Sequence, residues 1–103
     1  MLRHLVALRF NADTPQSTKD DLMNGLKGLS GHIDGILDFQ VRPNVSVDNA
    51  LGHDFRSLFW FDFRDVAVRV AYLIDPVHQA IGARIVAELD GGADGVFVLD
   101  FEV

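Results

Sequence analysis

Phe55-Arg56-Ser57-Leu58-Phe59-Trp60-Phe61-Asp62-Phe63 is the stretch on which the fold turns. Side chains of a β-strand alternate between the two faces of its sheet. Phe55, Ser57, Phe59, Phe61 and Phe63 then share one side, and Arg56, Leu58, Trp60 and Asp62 share the other. Aromatic residues suit a pleated, half-buried surface. The pattern predicts a strand over 55–63 with large apolar groups on both faces.

Upstream, residues 44–54 are polar and without period, a loop. Before them a strand is expected from Ile36 to Arg42, with Leu37, Phe39 and Val41 alternating against Asp38, Gln40 and Arg42 until Pro43 stops it. Leu22, Leu26 and Leu29 recur at helical spacing, behind Thr14 as an expected N-cap and Pro15 at the first helical position. Residues 2–10 alternate as a first strand, with Leu2, His4, Val6, Leu8 and Phe10 on one side. Downstream, Asp65 is expected to cap a helix over Val66–Ile74, and Asp75-Pro76 to start another running to about Glu88. A turn over 90–95 precedes a last strand, Val96–Val103. The order βαββαβ is the ferredoxin-like split βαβ arrangement, an α+β fold with a four-stranded antiparallel sheet, expected as one domain over residues 1–103.

In that arrangement helices cover one sheet face and the other meets solvent, so the strands should be apolar on one side only. Here Leu58 and Trp60 lie opposite Phe59 and Phe61, Leu5 and Ala7 opposite Val6 and Leu8, and Phe97, Leu99 and Phe101 opposite Val96 and Val98. Two-fold packing of the second face against a copy of itself would bury it, which predicts a homodimer with Leu58 and Trp60 in the interface.

Composition narrows the function. The chain has 103 residues, 49% hydrophobic and 23% charged, the balance of a globular domain. A net charge of −6 without a basic cluster argues against nucleic acid and anionic membrane as partners. No apolar run approaches the roughly 20 residues of a membrane helix, and no export signal is read, which leaves the cytoplasm as the expected compartment. Cysteine is absent and no histidines are paired at ligand spacing, so neither a metal nor another cofactor is expected.

Chemistry then rests on a few side chains. His32 and His53 stand beside glycines and read as solvated loop residues. His78 occupies the third position of the helix begun by Asp75 and Pro76, where the positive end of the helix dipole favours a neutral imidazole able to act as a general base. Tyr72 lies six residues earlier, across the helix break, and its phenol can donate a hydrogen bond to a carbonyl or a developing enolate. His4 sits on an otherwise apolar strand face and needs a partner; the simplest is backbone, as for an ordinary core histidine.

Several segments together resemble the stress-responsive A/B barrel (Dabb) family of the dimeric α+β barrel superfamily. They are Leu2-Arg3-His4-Leu5-Val6, Gly35-Ile36-Leu37-Asp38-Phe39-Gln40-Val41, Phe59-Trp60-Phe61-Asp62-Phe63, Tyr72-Leu73-Ile74-Asp75-Pro76-Val77-His78 and Leu99-Asp100-Phe101. The Tyr-x-x-x-Pro-x-His segment is the most specific. The resemblance implies a dimeric α+β barrel made by two sheets face to face. A plant member, a polyketide cyclase, uses a Tyr and a His matching Tyr72 and His78, the His as base for an aldol-type ring closure and the Tyr as hydrogen-bond donor to substrate. The position matching His4 lies near that pocket. Ser57 departs from the pattern, since many members carry His there, and Ile81 and Leu89 replace aromatic residues. The implied pocket is lined by Leu22, Met23, Leu26, Ser57, Phe59, Ile81 and Leu89. The expected function is that of a small dimeric stress-response-type protein with a hydrophobic pocket. Its alternatives are a cofactor-independent cyclase or lyase on a carbonyl-bearing substrate, with His78 as base and Tyr72 as donor, and a monooxygenase by analogy of fold. The expected ligand is small and apolar or carbonyl-bearing. Convergence of His4, Tyr72 and His78 on one cavity would separate a site from a purely structural role.

Overall fold

The computed structural model describes residues 1–103. Its elements in order are β1 (Leu2–Leu8), α1 (Gln16–Gly28), a 3-10 turn (Leu29–Gly31), β2 (Ile36–Pro43), α2 (Asn49–Gly52), β3 (Ser57–Phe63), α3 (Val66–Ile74), α4 (Pro76–Ala87), a second 3-10 turn (Gly92–Gly95) and β4 (Val96–Glu102). The four strands form one sheet in the order β2-β3-β1-β4, and every neighbouring pair is antiparallel. This is the expected ferredoxin-like fold. No helix is long and apolar enough to cross a membrane.

The core lies between the helices and one sheet face. His4 pairs with Phe61 in register and Val6 with Phe59, so those side chains point the same way, under the helices. Phe61 and Phe63 are fully buried there, with Leu8, Leu22, Leu26, Leu29 and Tyr72. Aromatic rings meet at tilted angles through this layer: Phe61 lies 4.7 Å from Phe39 and 5.0 Å from Tyr72, centroid to centroid.

Three local readings are corrected. Thr14 does not cap α1, which starts at Gln16 with Pro15 in the cap position and no side-chain cap bond. The Thr14 hydroxyl is engaged by Glu88, donating to its carbonyl at 3.3 Å or its carboxylate at 3.2 Å, and so ties the loop to the end of α4. Leu37 does not face the core with Phe39: a bulge between Ile36 and Asp38 puts Ile36 in that register and leaves Leu37 exposed. The loop over 44–54 contains α2, capped by Asp48, whose carboxylate accepts from the Leu51 N–H at 3.2 Å.

The second sheet face has no helix over it. It carries Leu5, Ala7, Leu58 and Trp60, half-buried, and Phe97, Leu99 and Phe101, exposed. Among them sits a partly buried ion pair: the half-buried Arg3 guanidinium donates to both oxygens of buried Asp62, at 2.8 and 3.1 Å. Arg3 and Arg42 also lie over the Trp60 ring at 5.3 and 5.6 Å. The Trp60 indole N–H is buried and donates to nothing in the chain.

Candidate functional site

The site begins with the break between α3 and α4. In an unbroken helix, residues six apart are rotated by 600°, which puts them on different faces. Asp75 interrupts the helix in an extended conformation, and Pro76 fits the first turn of α4 because its missing N–H is not needed there. The break brings the Tyr72 and His78 rings into a stack with centroids 3.7 Å apart. Asp75 holds the geometry: one carboxylate oxygen accepts from the Val77 and His78 N–H groups at 2.9 and 3.0 Å, and the other pairs with His32 Nε2 at 2.8 Å. Those bonds, the one from the His78 N–H first, hold the Asp75 carboxyl below its ordinary range, against the effect of burial. His32 is exposed, in keeping with a solvated loop residue, and is also engaged by Asp75.

Tyr72 packs edge-on to His4, 5.3 Å away. The partner of His4 is a side chain and not the expected backbone: its Nδ1 lies 2.6 Å from an Asp100 carboxylate oxygen on the neighbouring strand. The other Asp100 oxygen accepts from Arg69 of α3 at 3.1 Å. A carboxylate at Nδ1 fixes the ring and leaves Nε2 as the nitrogen available for other chemistry.

These three side chains line one cavity of about 200 Å³. Around them stand Val6 and Leu8 of β1, Phe59 of β3, Val96 and Val98 of β4, Leu26 of α1, Leu73 of α3, and Gly82, Ile85 and Val86 of α4. The volume is below the roughly 300–1,000 Å³ of sites for drug-sized ligands. No Asp, Glu, Lys or Arg lines it.

The other expected pocket residues divide. Leu26 and Phe59 line the cavity; Leu22, Ile81 and Leu89 belong to the solid core. α1 crosses α4 closely, with Ile81 at 3.5 Å from where a Cβ on Gly25 would stand, so Ile81 fills the helix junction. Leu89 is held against the chain after β1 by a bridge to Phe10. Ser57 pairs with Pro43 at the end of the edge strand and, with Met23, lines a different depression near Lys19, Arg42 and Arg56. That depression is larger, about 380 Å³, but gathers no imidazole or phenol. No three His, Asp or Glu side chains cluster as metal ligands. The expected set did not include Asp100, nor the cavity-lining Val6 and Leu8 of β1, Leu73 of α3, Gly82, Ile85 and Val86 of α4, and the β4 valines. The alternation of β4 placed Val96 and Val98 on the helix side, and Asp100 follows in the same series.

His78 is half-buried, and burial pushes its pKa below the ordinary 6.5, with His4 acting in the same direction. The Tyr72 carbonyl and the Asp75 carboxylate pull the other way, but the carbonyl lies outside hydrogen-bond geometry and His78 Nδ1 has no partner in the chain. Burial, and secondarily the Asp100 charge, raises the Tyr72 phenol well above its usual 10, so it stays a neutral donor across the physiological range. The arrangement thus offers an uncharged imidazole and an uncharged phenol side by side in an apolar cavity.

No curated protein matches the chain. A solved structure of a dimeric ferredoxin-like protein of unknown function from Jannaschia sp. CCS1 is 32% identical, with a TM-score of 0.88 over 99% of this chain and 98% of that one. A protein from Arabidopsis thaliana is 20% identical, with a TM-score of 0.88 over 100% and 95% of the two chains. A hydroxynitrile lyase from Passiflora edulis is 14% identical, with a TM-score of 0.82 over 99% and 92%. At those lower identities the likeness is one of fold. The profile of the stress responsive A/B barrel domain matches residues 2–103, and the chain belongs to that family.

Proposed function

We propose that this protein is a homodimer whose protomers each bind a small, neutral, carbonyl-bearing molecule and move a proton at the carbon beside the carbonyl, with His78 as base and Tyr72 as hydrogen-bond donor. The observation that carries it is the meeting of His4, Tyr72 and His78 on one cavity otherwise built of apolar side chains and Gly82. A carbonyl oxygen accepting from the phenol becomes a better acceptor as enolate character develops, and the apolar surround strengthens that bond. The neutral imidazole takes the proton. The reading needs no cofactor, and the cytoplasm is the compartment proposed with it. A titration of the histidine ring protons followed by NMR tests it before any natural substrate is known. A His78 pKa below 6.5 is expected; a value above 7 means a charged ring at neutral pH and ends the base role.

Tyr72→Phe keeps the ring stack and removes only the hydroxyl. It should slow deuterium exchange at the carbon beside the carbonyl of heptan-2-one by about tenfold, roughly one lost hydrogen bond. An unchanged rate would remove Tyr72 from the mechanism.

The dimer is supported by the uncovered sheet face, which Leu58 and Trp60 of β3 share with exposed Phe97, Leu99 and Phe101 of β4, across Leu5 and Ala7 of β1, and by the dimeric family relative. Light scattering at micromolar concentration should give twice the chain mass of 11.4 kDa. Trp60→Lys places an ammonium in the middle of that face and should yield monomer or aggregate. A dimer that survives it unchanged would place the interface elsewhere.

A further inference from the structure

His32 follows the 3-10 turn that ends the first helical segment. Its neighbours fix its backbone: Leu29 and Ile33 are buried, and the Leu29 carbonyl accepts from the N–H groups of His32 and Ile33, both at 2.9 Å. From this turn the ring reaches Asp75, 43 positions later in the chain. Asp75 is the single extended residue between α3 and α4. One such residue brings two soft backbone torsions, so the backbone alone does not set the angle between the two helices. The other bonds at the break join α3 and α4 only to each other. The Asp75 N–H donates to the Tyr72 carbonyl at 3.3 Å, and the Gln79 amide to the Leu73 carbonyl at 3.2 Å. The bond from His32 is the one hydrogen bond that joins Asp75 to a third element.

We propose that His32 is a positioning residue: acting through Asp75, it holds the break at the angle that stacks His78 on Tyr72. An exposed pair of opposite charges usually contributes little, because two long side chains must be ordered to make it. This pair differs on both sides. The Asp75 side chain is only 15% exposed and is already fixed by the Val77 and His78 N–H groups, while His32 stands on a turn anchored by buried residues. One carboxylate thus carries the constraint from the end of the first helical segment to the first turn of α4, where His78 lies. Without His32, the second Asp75 oxygen has no partner in the chain, and α4 can pivot about the break. The catalytic consequence rests on the proton-transfer reading above; the placement of the ring does not.

The NMR shifts of the His78 ring protons test the placement without any substrate, since a tyrosine ring stacked at 3.7 Å shields them. His32→Leu removes the donor and should move these protons downfield, toward those of an unstacked histidine. It should also lower kcat for exchange beside the carbonyl of heptan-2-one by about tenfold with KM unchanged, the scale of a small misplacement of a catalytic group. His32→Gln presents an amide N–H at similar reach and should restore both. If the leucine variant does not fold, His32→Asn takes its place, because its amide is too short to span the gap. His78 shifts that stay at wild-type values when the donor is lost overturn the inference, even if the melting midpoint falls, since the pair is then merely stabilising. Shifts that move but are not restored by glutamine overturn it too. A wild type without exchange activity overturns the proton-transfer reading alone, and the ring shifts then decide for or against His32.

Discussion

Phe61→Ala should destabilise the fold by about 3–5 kcal/mol, the usual cost of emptying a buried aromatic site. Phe61 has 0% exposure and sits at the centre of β3, touching Phe39, Phe63 and Tyr72. Few groups around it can collapse into the gap, because Phe39 and Phe63 are held by sheet register and Tyr72 by its place in α3. The melting midpoint should fall by more than about 12 °C, measured at fixed protein concentration because dimerisation contributes to apparent stability. A loss below about 1 kcal/mol would mean that the aromatic layer is not packed as described. Phe97→Ala, on the outer face, is the control: its ring is half exposed in the single chain, so it should affect association more than protomer stability.

The second large effect belongs to His78. His78→Ala should slow exchange at the carbon beside the carbonyl of heptan-2-one by about 10²–10⁴, the usual worth of a general base. A reduction below threefold would end the assignment. The pH dependence follows from the same burial. Because the folded pKa lies below 6.5, the unfolded chain binds the proton more readily than the native one. The native state therefore keeps its full stability above about 6.5 and loses part of it as pH falls from 6.5 through the folded pKa. Activity should decline over the same window. His78→Gln should remove this part of the acid sensitivity, which chemical denaturation at stepped pH would reveal.

The strands were legible because each carries a two-residue period strong enough to survive local irregularity, and Phe59, Phe61 and Phe63 fell on the core side as the pattern required. The bulge at Leu37 was not legible: one extra residue shifts the register without marking the sequence. The Asp65 and Asp75 caps were legible because a side-chain acceptor ahead of a helix has few other uses. Thr14 looked equally suitable, but its partner Glu88 is 74 residues away, which no local rule reaches. The site divides in the same way. Tyr72 and His78 could be read from a single segment around one proline. Asp100 could not, since it meets His4 only through the pairing of two strands from opposite ends of the chain. The cavity wall also depended on which side of α1 and α4 faces the sheet, a matter of helix rotation that leucine spacing alone leaves open.

The pairing of β1 with β4 has a consequence for how the protein folds. His4 and Asp100 are 96 residues apart, and Leu2–Leu8 receives its second neighbour only from Val96–Glu102. Such distant pairings raise contact order and slow folding, toward the millisecond-to-second range of sheet-rich domains. During synthesis the α1 and β2–β3 regions can collapse early, while β1 waits with one edge open. Val96, Val98 and the carboxylate that fixes His4 all arrive with the last strand, so cavity and completed sheet form in a single late event. An intermediate lacking β4 would have neither a closed hydrogen-bonded edge nor a place for a ligand, and for that interval the open side of β1 is the segment that a chaperone would have to shield.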